Sequence, residues 1–130
     1  MTSHRIIQLN AVSTAVCGVG MLATRAILPA LFGLDGPMLL DLVAVGLLLY
    51  AGLLAAAAGR RPITRQALIA FTVADVLWVV ASAFVLLVFW ADFAAVARFL
   101  VIAVALVVEV FATLQFRAAG RTPVATPLIA

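Results

Sequence analysis

Asp75 and Glu109 are the residues best able to do chemistry in this chain, because each is an acid set inside a long apolar run. A charged side chain deep in a bilayer costs at least about 2.5 kcal/mol on insertion scales, so such an acid must be covered by protein, water or a ligand. Counted at about 1.5 Å per residue from the polar ends of their segments, Asp75 lies about 13 Å deep and Glu109 about 11 Å. Thr72, Trp78 and Ser82 recur around Asp75 at three-to-four spacing and share its helix face. Ile102, Ala105, Glu109, Thr113 and Phe116 form a similar face, as do Asn10, Ser13, Thr14, Cys17, Met21 and Thr24. Tyr50 comes to the same level. The expectation is a buried polar layer of Asp75, Glu109, Asn10, Thr14, Tyr50, Trp78, Ser82 and Thr113. Its chemistry is hydrogen bonding and proton exchange. One use is structural, a polar network that fixes helix register. The other is a proton- or cation-coupled carrier working through Asp75 and Glu109, with Trp78 offering a cation–π face.

The elements that must hold these residues are membrane spans. The chain is 68% hydrophobic and only 10% charged, with a mean hydropathy of +1.33. A soluble domain is about half apolar and about a quarter charged. The expected fold is an all-α integral membrane protein, an up-down four-helix bundle in one domain, residues 1–121. Its helices cover about residues 6–28, 38–58, 66–90 and 93–116. Gly33 to Pro37 reads as a turn, Gly59 and Pro62 end the second helix, Thr64 caps the third, and Asp92 is a candidate cap for the fourth. Arg117, Gly120 and Arg121 are expected to stop the last helix, leaving residues 122–130 as a mobile tail. The first segment is too long and too polar for a signal-peptide core and is expected to remain as a span.

Every base is Arg, and the net charge is +3. The Arg residues flank apolar runs, which points to membrane topology and lipid headgroups, not to nucleic acid. Arg5, Arg60, Arg61, Arg65, Arg117 and Arg121 gather at one end, so both termini are expected in the cytoplasm. Arg25, Asp41 and Arg98 share the opposite level, about 25–29 Å away. They are expected to form an outer charged cluster, either structural or an anion site. In the second helix, Gly52-xxx-Ala56 and Ala55-xxx-Gly59 are small-residue pairs that permit close helix contact. One His and one Cys cannot supply paired metal or haem ligands, no Ser-His or Cys-His pair shares a depth, and no glycine-rich phosphate loop occurs. No cofactor, metal site or enzymatic activity is expected.

The run Ala74-Asp75-Val76-Leu77-Trp78-Val79-Val80-Ala81-Ser82, with Leu9-Asn10 and the Arg60-Arg61-Pro62 loop, resembles a loose group of small four-span bacterial inner-membrane proteins without assigned activity. These carry an acidic or amide residue, then Trp, then Ser at the same spacing in the third helix. The resemblance implies a four-helix fold and a bacterial inner-membrane location, and nothing about chemistry. The small multidrug resistance carriers differ: their essential Glu lies in the first helix, where this chain has only Asn10, Ser13 and Thr14. The leading expectation is a structural or accessory membrane component, a homo-oligomer or a subunit of a larger complex, with the lipid bilayer as its constant partner. The oligomeric carrier is the alternative.

Overall fold

The computed structural model describes residues 1–124; the rest of the expected tail, 125–130, lies outside the described residues. The elements are α1 (Ser3–Ala23), α2 (Leu28–Leu31), α3 (Met38–Ala58), α4 (Arg65–Val88) and α5 (Ala95–Arg121), with no strand among the described residues. All but α2 are long and apolar enough to cross a membrane.

Local chemistry sets the helix ends. Thr2 accepts a hydrogen bond from the Arg5 amide at 3.3 Å and starts α1 at Ser3, earlier than expected. Thr64 caps α4 in the same way, accepting from the Ala67 amide at 3.1 Å. α1 stops at Ala23, short of residue 28, because the ring of Pro29 would clash with the carbonyl of Arg25 in a continuous helix. Pro29 instead sits in the first turn of α2, where its missing N–H costs nothing. α5 runs to Arg121, past the expected stop at 116. Ala118 and Ala119 are good helix formers and are 2% exposed, so burial carries the helix through Gly120. It ends at Thr122, whose extended backbone suits the residue before Pro123.

α1 packs closely on α3, and α4 on α5; the two pairs meet mainly through α1 and α5. His4 Nδ1 lies 3.0 Å from the Ala58 carbonyl oxygen and Gly18 lies against Ala44, so α1 and α3 run antiparallel. At one end the pairs share an apolar plug of Ile6, Ile7, Leu54, Ile63, Leu68 and Ala118. At the other end they are tied by loops. The Ala94 amide donates to the Leu31 carbonyl at 2.8 Å, and Phe32 meets Phe93 edge to face at 4.9 Å. Ala94 thus takes the cap position expected for Asp92, with no side-chain cap. Gly33 is the left-handed residue of this corner, at φ +69°, and a Cβ there would stand 2.9 Å from the Asp92 carbonyl oxygen. Only glycine satisfies both conditions.

The close helix contact is not where the sequence pairs pointed. Gly52, Ala55 and Ala56 are exposed, and a Cβ on Gly52 would meet nothing within 4 Å. The tight approach is at Gly18, where a Cβ would lie 3.0 Å from Leu48 Cγ and 3.1 Å from the Ala44 carbonyl oxygen. We therefore expect Gly18→Val to destabilise the fold by about 1–3 kcal/mol through overpacking. Gly52→Ala should leave it unchanged or raise it by up to about 1 kcal/mol through helix propensity. Unfolding titrations in mixed micelles, followed by circular dichroism, check both.

Candidate functional site

Asp75 lies next to the apolar plug and is 2% exposed. Its two oxygens divide the work. Oδ1 accepts from the Tyr50 hydroxyl at 2.9 Å. Oδ2 accepts from Asn10 Nδ2 at 2.9 Å and from Gln115 Nε2. Asn10 Oδ1 in turn accepts from the Thr14 hydroxyl at 3.2 Å, and Asn10 Nδ2 also reaches Gln115 Oε1 at 3.5 Å. Asn10 and Gln115 are as buried as the acid they serve. All four long helices therefore supply a side chain: Asn10 and Thr14 from α1, Tyr50 from α3, Asp75 from α4 and Gln115 from α5. Tyr50 is also the link between α3 and α4, since its ring sits edge-on to Phe71 at 6.0 Å. Thr72, although buried beside the cluster, bonds its own helix at the Leu68 carbonyl, 2.8 Å away.

Beyond this cluster the two helix pairs diverge around a cavity of about 470 Å³. Its floor is Asp75, Asn10, Thr14 and Tyr50; its walls are mostly apolar, with Leu47, Val104, Val108 and Phe111 among them. Trp78 lines it as well, and its buried indole Nε1 has no hydrogen-bond partner. Ser82 is half-buried on the same helix and makes no hydrogen bond to the cluster.

Glu109 and Thr113 are not in this layer. Both are exposed on α5 and neither bonds any member of the cluster. The reason is the rotation of α5. Its buried residues include Gln115 and Ala97, Ala112, Ala118 and Ala119, alanines whose small side chains let the helix approach its neighbours. Glu109 lies six residues before Gln115, about 120° away around the helix. Gln115 takes the inward position that was expected for Glu109. Its three-residue spacing from Ala112 and Ala118 was a readable signal of a contact face.

The expected outer cluster also divides. Arg25 grips Asp41, with Nη2 to Oδ2 at 2.7 Å and Nε to the two carboxylate oxygens at 3.3 and 3.4 Å. The hydrogen bond and charge of Asp41 push the Arg25 pKa up. Arg98 joins neither: its Nε donates to the Trp90 carbonyl at 2.9 Å and its guanidinium lies 4.4 Å from the Trp90 ring centroid. Among the described residues, no three His, Cys, Asp or Glu side chains gather closely enough to hold a metal ion.

The fold and site define an all-α protein with four helices long and apolar enough to cross a membrane and a buried polar knot between them. No family model matches the chain, and no curated protein or solved structure matches it.

Replacing Asp75 by Leu leaves three buried donors without their acceptor. Each stranded buried group costs about 1–3 kcal/mol, so Asp75→Leu should lower stability by at least about 2 kcal/mol. Glu109→Gln, on the exposed face, should change the stability of the monomer by no more than about 0.5 kcal/mol. Unfolding midpoints of the two variants under monomeric detergent conditions test the assignment.

Proposed function

We propose that this chain is a small multi-pass membrane protein that acts as a structural or accessory component, associating first with a second copy of itself. The observation that supports this reading is Glu109, an exposed acid at the middle of the 27-residue α5. An acid facing hydrocarbon is costly, and membrane proteins turn such groups toward protein. The residues around it carry a pattern suited to helix pairing. Phe99, Ile102, Leu106, Glu109, Thr113 and Phe116 repeat at alternating three and four positions, and all are exposed. That period is the one paired helices use, and one polar residue in such a seam fixes register and partner number. A two-fold arrangement brings Glu109 of one copy against Glu109 of the other, where the two acids can share a proton and use the Thr113 hydroxyls. The Arg distribution supports an orientation with both termini in the cytoplasm of a bacterial inner membrane. The role proposed is non-catalytic and without a cofactor. A carrier that couples Asp75 directly to Glu109 lacks this support, because the two acids lie on different faces.

Cross-linking in native membranes tests the pairing. In a Cys17→Ser background, Leu106→Cys should give a disulfide-linked dimer, while Val16→Cys on α1 should not. Glu109→Lys should weaken the dimer by placing like charges at the axis. Equal cross-linking from both cysteine positions would remove the proposed seam.

A further inference from the structure

We infer that the cavity beyond Asp75 is a binding site for a cationic amphiphile, one with an ammonium head and an oxygen acceptor a few bonds along its chain. This goes beyond the accessory role and does not depend on the α5 seam. Three features carry it. First, the floor holds an acid whose partners are all neutral: an amide from Asn10, an amide from Gln115 and a phenol from Tyr50. No Arg or His hydrogen-bonds Asp75 among the described residues, so the charge of a carboxylate there is left for something else to balance. Oδ1 accepts only from Tyr50 and keeps acceptor capacity. Second, the acid is flanked by two aromatic rings, Tyr50 and Trp78, both lining the cavity. A carboxylate and aromatic rings lining one cavity are the chemistry that receives organic ammonium groups. Third, Trp78 Nε1 is buried with no partner. A donor in that state costs free energy unless a ligand supplies an acceptor, which the oxygen near the ammonium would do.

Size and wall chemistry fit the same class. About 470 Å³ lies within the range of small-molecule sites, roughly 300–1,000 Å³. Leu47, Val104, Val108 and Phe111 give an alkyl chain an apolar bed. A lipid acyl chain alone would fill the volume but leave both the Asp75 charge and the Trp78 N–H unanswered.

Gly46 supplies a clean way to close the site. It lines the cavity, and a Cβ placed on it would meet nothing within 4 Å, so a larger side chain there grows into empty space. Trp90→Phe leaves Trp78 as the single indole, which makes its emission a local reporter. The test uses that protein in phosphatidylcholine nanodiscs, titrated with decanoylcholine and with 3,3-dimethylbutyl decanoate, its uncharged carbon analogue. We expect a saturable change in Trp78 emission, with the cation binding about tenfold more tightly than the neutral ester, as one cation–aromatic and ion-pair contact allows. Gly46→Leu should abolish the change while the unfolding midpoint stays unaltered. Asp75→Asn, which keeps an acceptor oxygen without the charge, should erase the preference for the cation. Equal affinity for the two esters would overturn the inference and mark the cavity as an acyl-chain site. A response that persists in a folded Gly46→Leu protein would also overturn it, by showing that the ligand sits elsewhere. The dimer cross-links can fail or succeed independently of either result.

Discussion

A single carboxylate, buried where no base reaches it, sets the terms for the rest of the structure. Asp75 needs hydrogen-bond donors, and its own helix cannot supply them, because an α-helix spends its backbone donors internally. The donors come from the other three long helices, and each is held by its own surroundings. Asn10 is steadied by Thr14 one turn along α1. Tyr50 is oriented by its edge contact with Phe71. Gln115 is carried inward by a stripe of alanines that lets α5 come close. The acid therefore does what apolar packing between lipid-like surfaces does poorly: it selects one arrangement of four helices that would otherwise slide on one another. Hydrogen bonds of this kind average only about 0.6 kcal/mol each in membrane helices, so their value here lies in specificity more than in strength.

The packing around that acid is uneven by design of residue size. Where small residues line up, as at Gly18 and Ala44, the backbones approach closely. Where Gly46 faces Trp78 and the valines of α5, nothing fills the gap, and a cavity results. The same chain thus closes one end with Ile6, Ile7, Leu54 and Leu68 and leaves room in the middle. The outer end is less electrostatic than its charges imply. Arg25 and Asp41 pair at the surface, while Arg98 turns to the Trp90 ring and carbonyl.

Much of this was legible in the sequence, and the parts that were not share a cause. The number of long apolar helices follows from apolar length, and the cap at Thr64 follows from local chemistry; the break between α1 and α2, ahead of Pro29, was not anticipated. Asp75, Thr14 and Tyr50 came to one level, with Asn10 somewhat below it, because depth along a helix is simple arithmetic. Rotation about the helix axis is not. α5 is apolar on nearly every side, so hydrophobicity could not say which face turns inward. The choice of the Glu109 face assumed that an acid inside an apolar run turns toward the bundle interior, whereas the alanine positions that mark close contact select the face of Gln115. The same weakness left open which way the small pair Gly52 and Ala56 turns; both face outward, away from the bundle. The end of α5 was placed too early because Gly120 reads as a stop, and the burial of Ala118 and Ala119 against Ile6 and Ile7 is a tertiary effect.

The corner where Gly33 tucks under the Asp92 carbonyl has a mechanical meaning for the molecule. With the loops knotted there and the isoleucine plug at the far end, the two hairpins are fastened at both tips, like staves hooped top and bottom. Parting them at either end would break one of these two sets of contacts. Neither tie reaches the middle of α3 and α4, which do not pack closely on each other, so the bundle is weakest across that gap, beside the cavity.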